Sequence, residues 1–217
     1  MGLSSELKKK RTGIVITGGE TPSYSSCAEY FKGDYFLVAA DSGLESALDY
    51  GVRPNLVVGD MDSLGDRSLL DTFSWKQIKE LPPDKDFSDT ELALRELEGF
   101  DRKILIGGGG GRLDHTLALL SLFEGDNKPD LWLTGREKIF LLEDSAVIEG
   151  IKGDLISFYP LSDRNIYYKT EGLKWPLQKV NWQKGELSLS NRFSREKIIM
   201  TRGQGKLLVI HSLTTQA

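Results

Sequence analysis

Short apolar runs alternate with amphipathic stretches through the first two thirds of the chain. The apolar runs are rich in β-branched residues, and the stretches between them repeat apolar residues at helical spacing. This is the pattern of a mostly parallel sheet covered by helices. We predict strands at residues 13–17, 35–39, 56–59, 77–81, 103–107 and 131–134. We predict helices at about residues 22–32, 43–50, 66–73, 89–98 and 113–123.

The rhythm changes from about Ile139 onward, where short strands are separated by turn residues. These strands are predicted at 139–142, 146–148, 155–159, 166–170, 186–190, 197–200 and 207–211. Such a succession is typical of a small all-β domain. The boundary between the two parts should fall near residues 143–150, where a turn-like Glu-Asp-Ser and then a glycine interrupt the pattern.

Composition narrows the classes of function. The chain has 28 basic and 32 acidic residues, a net charge of -4, which offers no bulk attraction to nucleic acid. No apolar run approaches the roughly 20 residues of a membrane span. The single cysteine, Cys27, excludes an internal disulfide and favours a reducing cytoplasm. We therefore expect a soluble cytoplasmic protein that binds neither nucleic acid nor membrane.

Three aspartates follow two of the predicted strands. Asp60 and Asp62 come directly after the strand at 56–59, and Asp41 follows the strand at 35–39. Ligands of open α/β sheets bind at the carboxyl ends of the strands, where carboxylates can converge on a hard cation. The alternatives are a turn in which the two aspartates satisfy backbone donors, and a helix cap at Asp41. The cap and the metal role are compatible.

A second acidic segment runs from Lys85 to Glu91. Ser88 and Glu91 form a capping box, which predicts that a helix begins here. The capping box does not require Asp86 or Asp89, although carboxylates near a helix start are mildly stabilised by its dipole.

Five consecutive glycines, residues 107–111, link a predicted strand to a predicted helix. A glycine run lets backbone amides approach an anion closely, and the helix start favours negative charge. Arg112 adds a forked donor for phosphate oxygens. The alternative is a flexible loop, which is unusual at a strand-to-helix junction. His115 is as compatible with a structural hydrogen bond as with a role in catalysis.

In the carboxy-terminal part, Trp175 stands beside a loop and the polar residues Ser190 and Asn191 follow in a later strand. A tryptophan is most often part of the core. An aromatic face beside a loop also suits stacking on a flat heteroaromatic or cationic ligand.

Taken together, five motifs in this order resemble the thiamine pyrophosphokinase family. They are Ala40-Asp41-Ser42-Gly43, residues 54–63 ending in Gly59-Asp60-Met61-Asp62-Ser63, Lys85-Asp86-Phe87-Ser88-Asp89-Thr90, Gly110-Gly111-Arg112-Leu113-Asp114-His115 and Gly172-Leu173-Lys174-Trp175. Each motif alone is weak, but their order and separations are specific. The chain departs from the family's usual Asp-Gly-Gly-Ala-Asn at Ser42, Leu44 and Glu45, and from a frequent Asn at Leu119.

The resemblance implies an α/β fold class with two domains. Residues 1–143 would form a mostly parallel, three-layer α/β domain that binds ATP, and residues 144–217 a smaller all-β sandwich that binds thiamine. The implied activity is a Mg²⁺-dependent transfer of diphosphate from ATP to the hydroxyl of thiamine, which gives thiamine diphosphate and AMP. The resemblance also implies a homodimer with the thiamine site between subunits.

The resemblance assigns site residues position by position. The metal and the nucleotide phosphates would be held by the acidic cluster of Asp41, Asp60, Asp62, Asp86 and Asp89. Phosphate would also be bound by the end of the glycine run and the start of the next helix, namely Gly109, Gly110, Gly111, Arg112 and His115. The catalytic aspartates would be Asp60, Asp62, Asp86, Asp89 and Asp114, with Asp86, Asp89 and Asp114 open as acceptors of the hydroxyl proton. Trp175 would stack on thiamine from the partner subunit, with Ser190 and Asn191 nearby.

Two other functions remain compatible with the residues. One is a different metal-dependent phosphoryl or diphosphoryl transferase that uses the same acidic rim on another alcohol. The other is a non-catalytic sensor of nucleotide or thiamine. The number of carboxylates counts against a sensor, because a protein that only binds anionic ATP gains nothing from them unless metal bridges the two.

Overall fold

A computed structural model describes residues 10–161, 166–180, 182 and 186–213 of the chain, and of residues 202–204 only the backbone. Every predicted strand and every predicted site residue lies within these ranges. The outer ends of the two predicted domains, residues 1–9 and 214–217, lie outside the described residues.

Six parallel strands form the first half of a large sheet. They are β1 (Thr12–Thr17), β2 (Tyr35–Ala40), β3 (Leu56–Gly59), β4 (Ile78–Glu80), β5 (Arg102–Ile106) and β6 (Leu131–Leu133), in the order β6-β5-β1-β2-β3-β4. Ile14, Val15 and Ile16 of the central strand are completely buried. Unbroken burial of this kind is expected of a parallel strand covered on both faces, and it explains why the sequence shows an apolar run without alternation.

Helices cover the two faces of this sheet. The helices are α1 (Tyr24–Cys27), α2 (Gly43–Asp49), α3 (Asp89–Arg95) and α4 (Leu113–Ser121). Leu94 of α3 and Leu119 of α4 pack with Val15 in one core cluster, whereas Ala47 of α2 packs with Ile14 in another. The predicted three-layer α/β arrangement is confirmed. Among the described residues, no helix has the length and apolar character needed to cross a bilayer.

Two predicted helices differ from the structure. The predicted helix at 66–73 is a 3₁₀ helix, Arg67–Thr72, capped by the Asp66 side chain, which accepts a hydrogen bond from the Ser68 amide. Leu69 and Leu70 pack against a core cluster but are only partly buried, and this narrow contact does not hold a longer helix against the sheet. The predicted helix at 22–32 is the short α1 followed by a 3₁₀ turn at Ala28–Phe31.

The second half of the chain adds seven strands. They are β7 (Glu137–Leu142), β8 (Ala146–Glu149), β9 (Leu155–Pro160), β10 (Tyr167–Glu171), β11 (Ser188–Arg192), β12 (Lys197–Gln204) and β13 (Leu207–Ser212). Four of them extend the large sheet antiparallel from β6, in the order β6-β7-β13-β9-β11. The other three form a separate sheet in the order β10-β12-β8.

These two groups of antiparallel strands enclose a second core. Phe158 of β9, Tyr168 of β10 and Ile198 of β12 are completely buried within one apolar cluster. The predicted all-β sandwich is therefore present. One of its layers is continuous with the α/β sheet, because Trp132 of β6 pairs with Ile139 of β7. The sequence did not indicate this continuity.

Candidate active site

Three carboxylates converge at the carboxyl edge of the parallel strands. Asp41 follows β2, Asp60 follows β3 and Asp89 begins α3. One carboxylate oxygen from each residue lies within 4.8 Å of the others. Because β2 and β3 are parallel neighbours with Ala40 paired to Val58, their exits lie side by side and bring Asp41 and Asp60 together.

The backbone at this edge is held in an unusual conformation. Asp41 and Met61 have positive φ values of 46° and 61°, which are uncommon for residues with side chains. The Asp41 amide donates to the Val58 carbonyl at 3.0 Å, and the Met61 amide donates to Asp41 Oδ1 at 3.2 Å. These hydrogen bonds hold the Asp41 carboxylate against the loop after β3. Strain stored in this way is common at ligand sites.

Helix α3 carries the third carboxylate and is fixed at its start. Ser88 and Glu91 form the predicted capping box, with Ser88 Oγ accepting from the Glu91 amide at 3.3 Å and Glu91 Oε2 accepting from the Ser88 amide at 3.0 Å. The buried hydroxyl of Thr90 lies 2.7 Å from that of Thr17 at the end of β1. This contact anchors the helix start, and with it Asp89, to the central strand.

Lys85 lies between two of the clustered carboxylates. Its Nζ is 3.1 Å from Asp60 Oδ2, to which it donates a hydrogen bond, and 3.2 Å from Asp89 Oδ1, with which it forms an ion pair outside hydrogen-bond geometry. Among the described residues, the buried Oδ1 of Asp89 receives no hydrogen bond. A buried carboxylate oxygen that faces a positive charge without an aligned hydrogen bond is a suitable ligand for a cation.

The electrostatics of the cluster follow from burial and from the close carboxylates. Burial, together with the charge of Asp89, raises the pKa of Asp41 to about 7. Burial opposes ionisation at Asp60 as well, but the hydrogen bonds from Lys85 and the Asp62 amide leave the pKa of Asp60 below its ordinary value. The neighbouring Asp60 carboxylate raises the pKa of Asp62.

Two predicted members of the acidic cluster stand apart from it. Asp62 and Asp86 are exposed, and neither belongs to the group of three carboxylates found among the described residues. Asp62 borders the cluster, since its amide donates to Asp60 Oδ1 at 3.2 Å and the Asp60 carboxylate raises its pKa. The structure thus brings together Asp41, Asp60 and Asp89.

The glycine run is packed against the loop that follows β1. The Gly107 amide donates to the Leu133 carbonyl at 2.9 Å, and the Gly108 amide to the Gly18 carbonyl at 2.7 Å. A Cβ on Gly108, whose φ is 72°, would lie 2.2 Å from Leu119 Cδ1. The first two amides of the run are therefore used inside the protein. The remaining glycines, Gly109, Gly110 and Gly111, lead into the residue before α4.

Arg112 and Asp114 form an exposed ion pair at the start of α4. Arg112 Nε and Nη2 donate to the two oxygens of Asp114 at 3.1 and 2.6 Å. The side chains are 72% and 62% exposed, so both remain accessible to a ligand. The hydrogen bonds from Arg112 lower the pKa of Asp114 to about 2. His115 is exposed beside the pair, and its amide donates to Asp114 Oδ1.

Trp175 and its neighbours lie in the second half of the chain. The Trp175 side chain is 51% exposed, and Lys174 Nζ lies 4.4 Å from the centre of its ring. Asn191 is buried and holds the Trp175 backbone from both sides, since Oδ1 accepts from the Trp175 amide at 3.2 Å and Nδ2 donates to its carbonyl at 2.7 Å. Ser190 is exposed, with a positive φ of 54°. Trp175 thus belongs to the surface and not to the core.

Sequence reasoning assigned no role to four residues that shape this site. The Lys85 bridge has no clear signal in the sequence, because Lys85 precedes α3 and shares no helix face with Asp89. Glu45 Oε1 accepts a hydrogen bond from the Gly65 amide at 2.8 Å and ties α2 to the loop after β3. Neither this contact nor the Thr17–Thr90 contact has a signal in the sequence, because each joins distant segments.

Two family models match the chain. The model described as "Thiamin pyrophosphokinase, catalytic domain" matches residues 27–133, and "Thiamin pyrophosphokinase, vitamin B1 binding domain" matches residues 143–204. The chain is 26% identical to the "Thiamine pyrophosphokinase" of Bacillus subtilis (strain 168), across 93% of this chain and 99% of that protein. It is 24% identical to "Thiamin pyrophosphokinase 1" of Caenorhabditis elegans, across 86% of this chain and 83% of that protein.

Solved structures share the fold. The thiamin pyrophosphokinase of Geobacillus thermodenitrificans superposes with a TM-score of 0.76 at 23% identity, covering 95% of this chain and 99% of that one. The enzyme of that name from Candida albicans gives a TM-score of 0.73 at 17% identity, covering 94% and 90%. Both halves of the chain, the α/β layers and the strand-rich part, are therefore arranged as in those proteins.

Proposed function

This chain belongs to the thiamin pyrophosphokinase family and performs the thiamine pyrophosphokinase reaction, and we propose that it takes the diphosphate from ATP, releases AMP and requires Mg²⁺. The observation that carries the proposal is the convergence of Asp41, Asp60 and Asp89 at the carboxyl edge of the sheet. The family match does not favour a different transferase or a non-catalytic sensor.

The chemistry of the three carboxylates fits Mg²⁺. Carboxylate oxygens are hard ligand atoms of the kind that Mg²⁺ prefers. One of them, the buried Oδ1 of Asp89, has no contact with hydrogen-bond geometry among the described residues. Asp41, Asp60 and Asp89 would hold the ion, and the exposed Asp62 and Asp86 would act as outer ligands towards it and the nucleotide. When bound, Mg²⁺ neutralises charge that develops on the transferring phosphates.

The glycine run and the start of α4 would bind the phosphates of ATP. Gly109, Gly110 and Gly111 offer backbone amides next to a helix start, a favourable place for an anion. Arg112 would exchange its contact with Asp114 for phosphate oxygens, which match the same forked geometry. His115, exposed one residue after Asp114, would lie beside this phosphate contact.

One aspartate would accept the proton from the thiamine hydroxyl. Asp86, Asp89 and Asp114 are the candidates. The hydrogen bonds from Arg112 lower the pKa of Asp114 to about 2, so Asp114 could serve as the base only after Arg112 has turned to the phosphates. The remaining work of the protein is to hold the hydroxyl and the phosphates in line and to exclude water. Asp89 would be held on the ion, whereas the exposed Asp86, three residues earlier and just before α3, would remain available for the proton.

Thiamine would bind against the exposed ring of Trp175. Ring stacking suits the flat, cationic character of thiamine, and the Asn191 hydrogen bonds keep the Trp175 backbone in place. Ser190 would line the same region. We propose that the site is completed by a second copy of the chain in a homodimer, with residues 1–143 as the ATP-binding unit and residues 144–217 as the thiamine-binding unit.

We also propose a cytoplasmic location for the enzyme. The single cysteine, Cys27, is a free and buried thiol in the structure. Unpaired thiols of this kind are usual in reducing compartments.

The proposal is tested by incubating the purified protein with thiamine, ATP and Mg²⁺ and measuring thiamine diphosphate and AMP by chromatography. Both products should form in equal amounts, and EDTA should abolish them. Asp89→Asn should lower the rate by at least about a hundredfold, since it removes charge from the cluster. Asp84→Asn, in the same segment, exposed and without a role in the proposed site, is the matched control and should keep the wild-type rate. Binding of ATP without either product would overturn the proposed reaction.

A further inference from the structure

Lys85 places an ammonium group among the carboxylates that are proposed to bind metal. Its Nζ lies 3.1 Å from Asp60 Oδ2 and 3.2 Å from Asp89 Oδ1. The Lys85 side chain is 13% exposed, and those of Asp60 and Asp89 are 10% and 17% exposed. All three charges are thus largely withdrawn from water, where each needs a partner of opposite sign.

The ammonium makes the contacts that a metal would make. A lysine ammonium is a compact point charge, and here it touches one oxygen of each carboxylate. One of these oxygens is the buried Oδ1 of Asp89, to which no contact among the described residues has hydrogen-bond geometry. An ammonium at about 3 Å and a divalent cation at about 2 Å cannot occupy the same oxygens together without strong repulsion.

The backbone at Lys85 allows the ammonium to leave. Lys85 lies in the irregular segment between β4, which ends at Glu80, and α3, which begins at Asp89. The helix start is fixed independently by the Ser88–Glu91 capping box and by the Thr17–Thr90 contact. Movement of the Lys85 side chain therefore unwinds neither a strand nor a helix, and it leaves Asp89 in place.

We propose that Lys85 is a positioning residue whose ammonium contacts the oxygens that the metal would contact. It holds Asp60 and Asp89 together in the metal-free protein, and the divalent cation displaces it. The inference rests on the proposed metal-dependent function. Displacement of the ammonium opposes metal binding, so the affinity of the wild type for metal is lower than the carboxylates alone would give. The same ammonium keeps the carboxylates of Asp60 and Asp89 close together when no metal is bound.

Binding of Mn²⁺ alone, measured by titration calorimetry on the full chain, tests the inference. Lys85→Met should bind Mn²⁺ roughly tenfold more tightly than the wild type, a factor within the usual range for two coupled ligands. In EDTA the variant should melt at a lower temperature than the wild type, and added Mn²⁺ should raise its melting temperature by more. Lys85→Arg, which retains the charge, should resemble the wild type.

The matched control is Lys79→Met. Lys79 forms an ion pair with Glu96 at 2.5 Å, but its side chain is 49% exposed and its partner lies outside the carboxylate cluster. This variant should bind Mn²⁺ as the wild type does. A purely structural role for Lys85 would weaken metal binding in Lys85→Met, which is the opposite of the expected direction.

Equal or weaker Mn²⁺ binding by Lys85→Met overturns the inference and leaves the proposed function intact. A wild type that binds no Mn²⁺, with or without an ATP analogue, overturns both. If Lys85→Met does not fold, Lys85→Gln retains a hydrogen-bond donor without the charge, and the same outcomes apply to it.

Discussion

Gly59 lies so close to Asp41 that no side chain fits between them. A Cβ on Gly59 would lie 2.0 Å from Asp41 Oδ1 and 2.7 Å from its Cγ. Gly59 also has a φ of 149°, a conformation that side chains disfavour. The place of the Asp41 carboxylate therefore depends on glycine at the end of β3.

Gly59→Ala should displace Asp41 from the cluster. We expect kcat/KM to fall by about a hundredfold, because a displacement of roughly 1 Å at a reacting centre has that effect. The free energy of unfolding should fall by about 1–3 kcal/mol from backbone strain and the close contact. Steady-state kinetics and thermal melting measure the two effects.

Gly33→Ala is the control for this prediction. Gly33 has a φ of 85°, but a Cβ there would meet no atom within 4 Å. It should lose stability through backbone strain and retain its kcat/KM. Full activity in Gly59→Ala would show that the Asp41 carboxylate does not need its observed position.

The metal-free protein should lose stability as the pH rises through the titration of Asp41. Burial and the Asp89 carboxylate raise the pKa of Asp41 from 3.8 to about 7 in the folded state. The folded state thus binds this proton more tightly than the unfolded state. The resulting contribution to stability is complete below 3.8 and is lost as the pH rises through about 7.

Thermal melting in EDTA over about pH 4 to 8 checks this expectation. Asp41→Asn should become more stable relative to the wild type as the pH rises, because it lacks the ionising group. Asp114, whose lowered pKa depends on Arg112 outside the cluster, is present in both proteins and cancels in the difference. Melting curves of the two proteins that stay parallel across this range would contradict the assignment.

Arg112 should bind ATP in competition with Asp114. Arg112→Lys keeps the charge but loses the forked donor geometry, and we expect it to weaken ATP binding by roughly tenfold. Asp114→Asn removes the competing carboxylate charge and should strengthen ATP binding. Titration of each variant with a non-hydrolysable ATP analogue and Mg²⁺ measures both changes. Weaker binding by Asp114→Asn would mean that Asp114 orients Arg112 for the phosphate and does not compete with it.

Asn191 should control the thiamine site through Trp175. Asn191→Ala leaves the Trp175 amide and carbonyl without their side-chain partner, which costs about 1–3 kcal/mol when such groups are buried. The KM for thiamine should rise by roughly tenfold as the ring loses its fixed position. The KM for ATP should change little, because these contacts lie in the thiamine-binding half. Steady-state kinetics, with the concentration of each substrate varied in turn, measures the KM for thiamine and the KM for ATP separately.

Much of the α/β half could be predicted from the sequence. The buried parallel strands β1, β2, β3 and β5 read as apolar runs, and the capping box gives the start of α3. The pairing of β6 with β7 could not be predicted, because an apolar pattern marks the buried face of a strand and not its neighbour. The 3₁₀ helix at Arg67–Thr72 was missed because nothing in its residues shows that its leucines are only partly buried.

In the candidate site, too, some residues could be predicted from the sequence and others could not. The rule that parallel strands end at one edge anticipated the meeting of Asp41 and Asp60. Asp62 was expected to join them because it stands two residues after Asp60 at the end of the same strand and because the family resemblance places it there. Met61 instead has a φ of 61°, which turns the chain and leaves Asp62 exposed. Contacts between distant segments, such as Lys85 with Asp60, lie beyond what spacing along the chain can indicate.

The position of β13 has a consequence for synthesis of the protein on the ribosome. Strand β13 is the last along the chain among the described strands, yet it lies between β9 and β7 and pairs with both. Until residues 207–212 have been translated and have left the exit tunnel, β9 and β11 have no link to the rest of the large sheet. The parallel strands β1 to β6 need no later segment to pair with one another. The nascent chain can therefore assemble its carboxylate cluster before β13 is available to join the strands of the half that carries Trp175 to the large sheet.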